Sequence, residues 1–228
     1  MEKIYNDLIN LFLASVIAAF CIALFKIENY FYYLFPCLLF FFLTYFVKRI
    51  VSQKFLYYDI ESKFLSIKRF WFSDQSKIPF PFPIGIFFAL FFSLISYGGI
   101  QILALLGYEY KEKIGRIRKK YRLREQDLTT ISVISLLSGY LLLLIFYISN
   151  LDEFAKVIAW LLFSCSLPFG SLEGSRIFHA NWILWIFYFS LFSLSLILVN
   201  ITQKFMLIIL ALIFAILIGL YFLYKYIK

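Results

Sequence analysis

A single histidine, His179, sets the first limit on what this chain can do. One imidazole cannot assemble a conventional zinc site with three cysteines, Cys21, Cys37 and Cys165, that are scattered through separate apolar runs. Being odd in number and without ligand spacing, the cysteines read as small buried hydrophobes rather than disulfide partners. Charged residues make up only 15% of the chain, and its apolar stretches are nearly free of them. With no internal repeat either, this argues against a transporter or channel, whose spans carry polar residues or whose halves repeat. Serine chemistry would need a serine paired with a base, and no motif pairs one with His179. Aspartyl chemistry would need two facing carboxylates. Asp7 and Glu173 are the acids nearest to span interiors, but both lie at ends and no motif joins them. There is no lipidation motif and no long flexible linker.

What the sequence has in abundance is apolar surface. Of its 228 residues 63% are hydrophobic, and the mean hydropathy is +0.88. A soluble domain is nearer half apolar, so the chain reads as an all-α polytopic membrane protein, a single integral domain over 1–228. Thirty phenylalanines and 17 tyrosines lie largely in apolar runs. Trp71, Trp160, Trp182 and Trp185 fall near span ends, as interfacial anchors do. The first apolar stretch is longer than a signal-peptide core and has no clear small-x-small cleavage site, so it is expected to be a retained span.

Hydropathy windows place spans near 8–25, 30–47, 129–148, 154–167, 181–199 and 205–224. A further apolar region, 83–106, is broken at Gly98-Gly99, and it decides the topology. If it crosses the membrane, the basic residues divide 10 against 12 between the two sides, with no bias. If it dips in and returns, Lys3, the segments 48–80 and 107–128, Arg176, Lys225 and Lys228 share one face. That gives 19 basic residues against three, Lys26, Lys156 and Lys204. Such asymmetry is what membrane insertion produces, and paired glycines suit the turn. Six spans plus one re-entrant segment are therefore expected, with both termini cytoplasmic in the cell membrane. Seven spans with unusual charge placement is the alternative.

The formal charge of +9 follows from the same asymmetry. The basic run 111–124 is expected to rest on anionic lipid headgroups; no recognised fold or readout motif accompanies it, so nucleic acid is not an expected partner. Residues 54–72 are rich in aromatic and β-branched side chains and read either as an interfacial β-hairpin or as an irregular loop.

A polar break, 167–176, separates two apolar stretches and holds Pro168 and Leu172-Glu173-Gly174. This pattern resembles the second metal motif of the site-2 proteases, zinc intramembrane metalloproteases, where a Leu-Asp-Gly follows a proline and the aspartate supplies a zinc ligand. Other parts are similar to archaeal-type members. The Gly-Gly-broken segment resembles the one after their catalytic helix. Residues 124–141, with Ser138-Gly139-Tyr140, resemble an acidic lead-in to a helix carrying Ala-Gly-Pro. The likeness runs in order and spacing over about residues 35–200, each motif being weak alone.

The resemblance implies His-Glu-x-x-His near the cytoplasmic end of a span, with two histidines on zinc and a glutamate as general base. The stretch in register is Thr44-Tyr45-Phe46-Val47-Lys48, so Thr44 and Lys48 stand for the histidines, Tyr45 for the base and Glu173 for the aspartate. A lysine ammonium repels a divalent ion unless it is strongly desolvated. No catalytic residue, metal or other cofactor is expected. Lys48 and Glu173 both fall on the cytoplasmic side, where a salt bridge between them could fill the former zinc position. Equally, Glu173 could cap the following helix and Lys48 snorkel to the interface. His179 reads as a helix-start or headgroup contact.

The expected function is that of a pseudoprotease that binds or scaffolds another transmembrane protein. An active intramembrane protease with a non-standard site and a transporter or channel subunit are the alternatives.

Overall fold

The computed structural model describes residues 2–25, 27–56, 58–65, 67–69, 77–112 and 125–201, together with 210, 213 and 217. The fold is mostly helical: α1 (Glu2–Ala23), α2 (Tyr30–Val51), α3 (Ile84–Ile95), α4 (Glu125–Ile148), α5 (Asp152–Ser166), α6 (Glu173–Ala180) and α7 (Trp182–Ile201). Four stretches are long and apolar enough to cross a membrane: Ile4–Ala23, Ile27–Lys54, Gln126–Ile148 and Trp182–Ile201. The chain has the character of a membrane-embedded protein. Helix ends overrun the hydropathy boundaries because backbone hydrogen bonding continues through polar residues that find partners. Thus α2 runs past residue 47 to Val51, carrying the buried Lys48 inside the helix.

The segment expected to span at 154–167 is α5, with 15 residues and two acids in its first turn. At about 1.5 Å per residue it is some 22 Å long, short of a hydrocarbon core of about 30 Å. It packs on the inside of the bundle: Ala155, Ile158, Leu161 and Leu162 are fully buried, and it contacts α2, α4, α6 and α7. The sixth expected span, 205–224, and the basic run from 113 to 124 lie outside the described residues, apart from 210, 213 and 217.

The expected hairpin within 54–72 needs correction. Ser52–Leu56 is a wide helical turn continuing α2. Strand β1 (Tyr58–Phe64) pairs antiparallel with the distant β4 (Leu106–Glu112), from Tyr58↔Glu112 to Phe64↔Leu106. The short β2 (Ile67–Arg69) pairs with β3 (Lys77–Phe82). The distant partner wins because it matches pleat to pleat: Tyr58, Ile60 and Ser62 on β1 and Leu106, Tyr108 and Tyr110 on β4 are all buried. The start of the expected cytoplasmic segment 107–128 is therefore part of the core, and its last residues already belong to α4.

Between β3 and β4 the chain makes an excursion and comes back. α3 descends for 12 residues, about 18 Å. Near its far end Ser93 Oγ donates to the Cys21 carbonyl at 2.9 Å, beside the C-terminus of α1. The turn uses left-handed backbone at Tyr97 (φ 51°) and Gly98 (φ 79°). An extended limb then returns, with Leu103 N–H donating to Ser164 Oγ at 2.8 Å. Both limbs end at Leu65: its N–H donates to the Leu105 carbonyl (2.8 Å) and its carbonyl accepts from Gly85 N–H (3.1 Å).

That junction admits no side chain at residue 85, because a Cβ there would press on the Ala104 carbonyl and sit 3.0 Å from the Leu65 side chain. Gly85→Ala is expected to destabilise the fold by about 1–3 kcal/mol, read as a lower thermal midpoint in detergent. An unchanged midpoint would mean that the limbs do not meet as described.

Candidate functional site

Three elements converge at the end of the bundle where β1 and β4 lie. Lys48 is on the last turns of α2, Glu173 is the first residue of α6, and Tyr108 is on β4. The sequence reasons are local. Pro168 follows the end of α5, Gly170 adopts φ 55° to reverse the chain, and Gly174 lets α6 fold back onto α5. A Cβ at Gly174 would overlap the Ser166 backbone. The Leu172-Glu173-Gly174 triplet thus combines a buried apolar anchor, an inward carboxylate and a position with no room for a side chain.

Lys48 is 1% exposed and Glu173 3%, and the Lys48 ammonium donates to Glu173 Oε1 in a buried ion pair. Of the two readings left open by the sequence, the structure takes the bridge: Lys48 does not reach the surface, and the N-cap of α6 is Leu172, with the Glu173 carboxylate bonded to the lysine. The ammonium also lies over the Tyr108 ring, 3.4 Å from its centroid. A desolvated cation gains about 2 kcal/mol from such a face, which offsets part of the several kcal/mol that each buried ion loses in leaving water. Burial, reinforced by the Glu173 carboxylate, pushes the Tyr108 phenol well above its ordinary pKa, so the ring stays neutral beneath the lysine. Glu173 Oε2 is buried and has no protein hydrogen-bond donor among the described residues.

One turn along α6, Arg176 repeats the arrangement on the same strand. Its guanidinium donates to the Tyr108 carbonyl and sits 4.3 Å from the Tyr110 ring centroid. Burial also raises the Tyr110 phenol, opposed by Arg176 and aided by Glu173. The alternation of tyrosines in Gly107-Tyr108-Glu109-Tyr110 was the sequence signal for this strand, obscured by the basic run that follows.

The other positions matched to the metal motif are put to structural use. Thr44 donates its hydroxyl back to the Phe40 and Phe41 carbonyls at 2.8 and 3.2 Å. Tyr45 points away from Glu173 and donates to Asp7 Oδ2 at 2.9 Å. Asp7 Oδ1 accepts from the Ser62 N–H at 2.7 Å and from the Ser62 hydroxyl at 2.8 Å. This buried network, which sequence reasoning missed, ties α1, α2 and β1 together through contacts more than 35 positions apart. His179 is exposed in the last turn of α6, not at a helix start, and its ring lies against Phe178. The three thiols are free and buried.

Zinc does not fit this donor set. The group that approaches Glu173 is an ammonium, which carries the same sign as the metal and has no lone pair to give. The cavity beside the pair, between Phe41, Thr44, Cys165 and Leu136, is about 10 Å³, scarcely the space of one water. Among the described residues no three His, Cys, Asp or Glu side chains converge. No protein-family model, curated protein or solved structure matches the chain.

Lys48→Met alone strands a buried carboxylate and is expected to cost about 3–5 kcal/mol. Lys48→Met combined with Glu173→Leu removes both charges and is expected to recover most of that loss. Additive losses in thermal unfolding would deny the coupling. Tyr45→Phe leaves Asp7 one donor short and is expected to cost about 1–3 kcal/mol on the same measurement; no loss would remove Tyr45 from the network.

Proposed function

We propose that the chain is a pseudoprotease: a membrane protein of site-2-protease-like design in which the metal position has become an internal ion pair, and which holds a transmembrane segment of another protein without cutting it. The observation that carries this reading is the Lys48–Glu173 pair itself. It joins two of the three positions that the sequence resemblance assigns to metal ligands, from segments 125 residues apart. Lysine replaces the lone-pair donor by a tethered positive charge, so Glu173 is neutralised with no ion taken from solution. Tyr45, at the position of the general base, is engaged with Asp7 and has a phenol where the chemistry needs a carboxylate.

The topology proposed with this reading has six spans, with both termini and the ion pair on the basic cytoplasmic face of the cell membrane. Segment 83–106 enters from that face and returns to it. The meeting of its limbs at Leu65 supports this, as does the division of 19 basic residues against three. α5 would then be a short span, shielded from lipid by its neighbours. The basic face would lie against anionic headgroups.

Metal analysis of the purified protein, together with a membrane-segment cleavage reporter in liposomes, tests the reading. The wild-type protein is expected to hold no stoichiometric zinc and to give no turnover. Thr44→His with Lys48→His places two imidazoles one helical turn apart beside Glu173 and is expected to take up about one zinc per chain. Stoichiometric zinc with turnover in the wild type would overturn the proposal.

A further inference from the structure

At the opposite end of the bundle from the ion pair lies a cavity of about 380 Å³, within the size range of small-ligand sites. It is framed by the end of α1, the start of α2, the turn after α3, the start of α5 and Asn200 at the end of α7. Its lining mixes three chemistries. Tyr33, Tyr97 and Trp160 present aromatic rings. Gln101 contributes a largely buried amide, whose nitrogen donates to the Gly98 carbonyl at 3.3 Å. Glu153 and Lys156 contribute one charge of each sign, three residues apart on α5 and 2.8 Å from each other.

The charges decide what the cavity suits. An anionic ligand would meet Glu153, and a cationic one would meet Lys156. A neutral ligand can hydrogen-bond to either but balances neither charge. A zwitterion complements both, with its anionic group beside Lys156 and its cation beside Glu153 and the aromatic faces. A primary ammonium can donate to the Glu153 carboxylate, whereas a quaternary one cannot. Ile22 and Val157 add apolar wall. Tyr97 is held in left-handed backbone at φ 51°, a conformation that costs a non-glycine residue on the order of 1 kcal/mol or more. Its ring, packed 5.7 Å from that of Phe25, forms part of the rim.

We infer that this cavity binds a phosphoethanolamine zwitterion, with phosphate at Lys156 and ammonium at Glu153. The site is separate from the ion pair and does not rest on the pseudoprotease reading.

Native mass spectrometry of the delipidated full chain tests the inference, with dioleoyl phosphatidylethanolamine, phosphatidylcholine and phosphatidylglycerol offered in turn. One phosphatidylethanolamine per chain is expected to be retained about tenfold more strongly than either of the others. That preference is expected to vanish in Glu153→Gln/Lys156→Gln. Exposed ion pairs contribute only about 0–1 kcal/mol to folding, so this variant keeps its thermal midpoint. Glycerophosphoethanolamine, which has the headgroup and no acyl chains, separates the two sources. Competition at micromolar concentration assigns the site to the soluble ester, and none up to millimolar assigns it to the lipid. Equal retention of the three lipids, or an undiminished preference in the double variant, overturns the inference.

Discussion

An ammonium and a carboxylate, both out of water and joined to each other, are the constraint around which this end of the molecule is arranged. Neither charge is tolerable alone at this depth: an unpaired buried ion costs several kcal/mol even after relaxation. Once Lys48 is placed inward on α2, α6 must begin where its first residue can meet it, and the chain between α5 and α6 must turn sharply to bring it there. Gly170 and Gly174 permit that turn. The Tyr108 ring closes the site from β4, which in turn fixes the register of β4 against β1. Helix, loop and strand geometry are thus all tied to one electrostatic requirement.

The Asp7 network does for α1 what the ion pair does for α6. Its acceptors are satisfied by donors from α2 and β1, so these hydrogen bonds stabilise the carboxylate. The two clusters lie on neighbouring faces of the same turns of α2, with Tyr45 facing Asp7 and Lys48 facing Glu173. α2 therefore takes part in two fastenings of the β ribbon to the helical bundle, beside the Arg176 contact from α6. Tyr45 and Lys48, three residues apart on α2, thus serve two separate supports.

Hydropathy made the helices legible, because long apolar runs leave few alternatives. Four of its windows coincide with helices long and apolar enough to cross a membrane. It gave no sign of how short and protein-packed α5 is, since a helix buried against protein looks the same in a window as one buried in lipid. The β ribbon was half visible: the aromatic and β-branched content of 54–72 suited a strand, but the partner of β1 lies more than 40 positions away, and nothing local distinguishes a hairpin from a long-range pair. The Lys48–Glu173 contact was open to inference only because the polar break and the end of α2 resembled two halves of one motif. The Asp7 contacts carried no such signal. A carboxylate near a chain start, a tyrosine and a serine are individually ordinary, and only the folded geometry joins them. The cavity at the other end is built from five separate elements and was likewise invisible in the sequence.

The central claim is that the cation serving Glu173 is the protein's own lysine. A structure determined in lipid nanodiscs with zinc in excess, recorded with anomalous signal at the zinc edge, addresses it directly. The account predicts Lys48 Nζ within hydrogen-bond distance of the Glu173 carboxylate and no zinc peak beside it. A zinc peak on Glu173, with the Lys48 side chain turned aside, would contradict it.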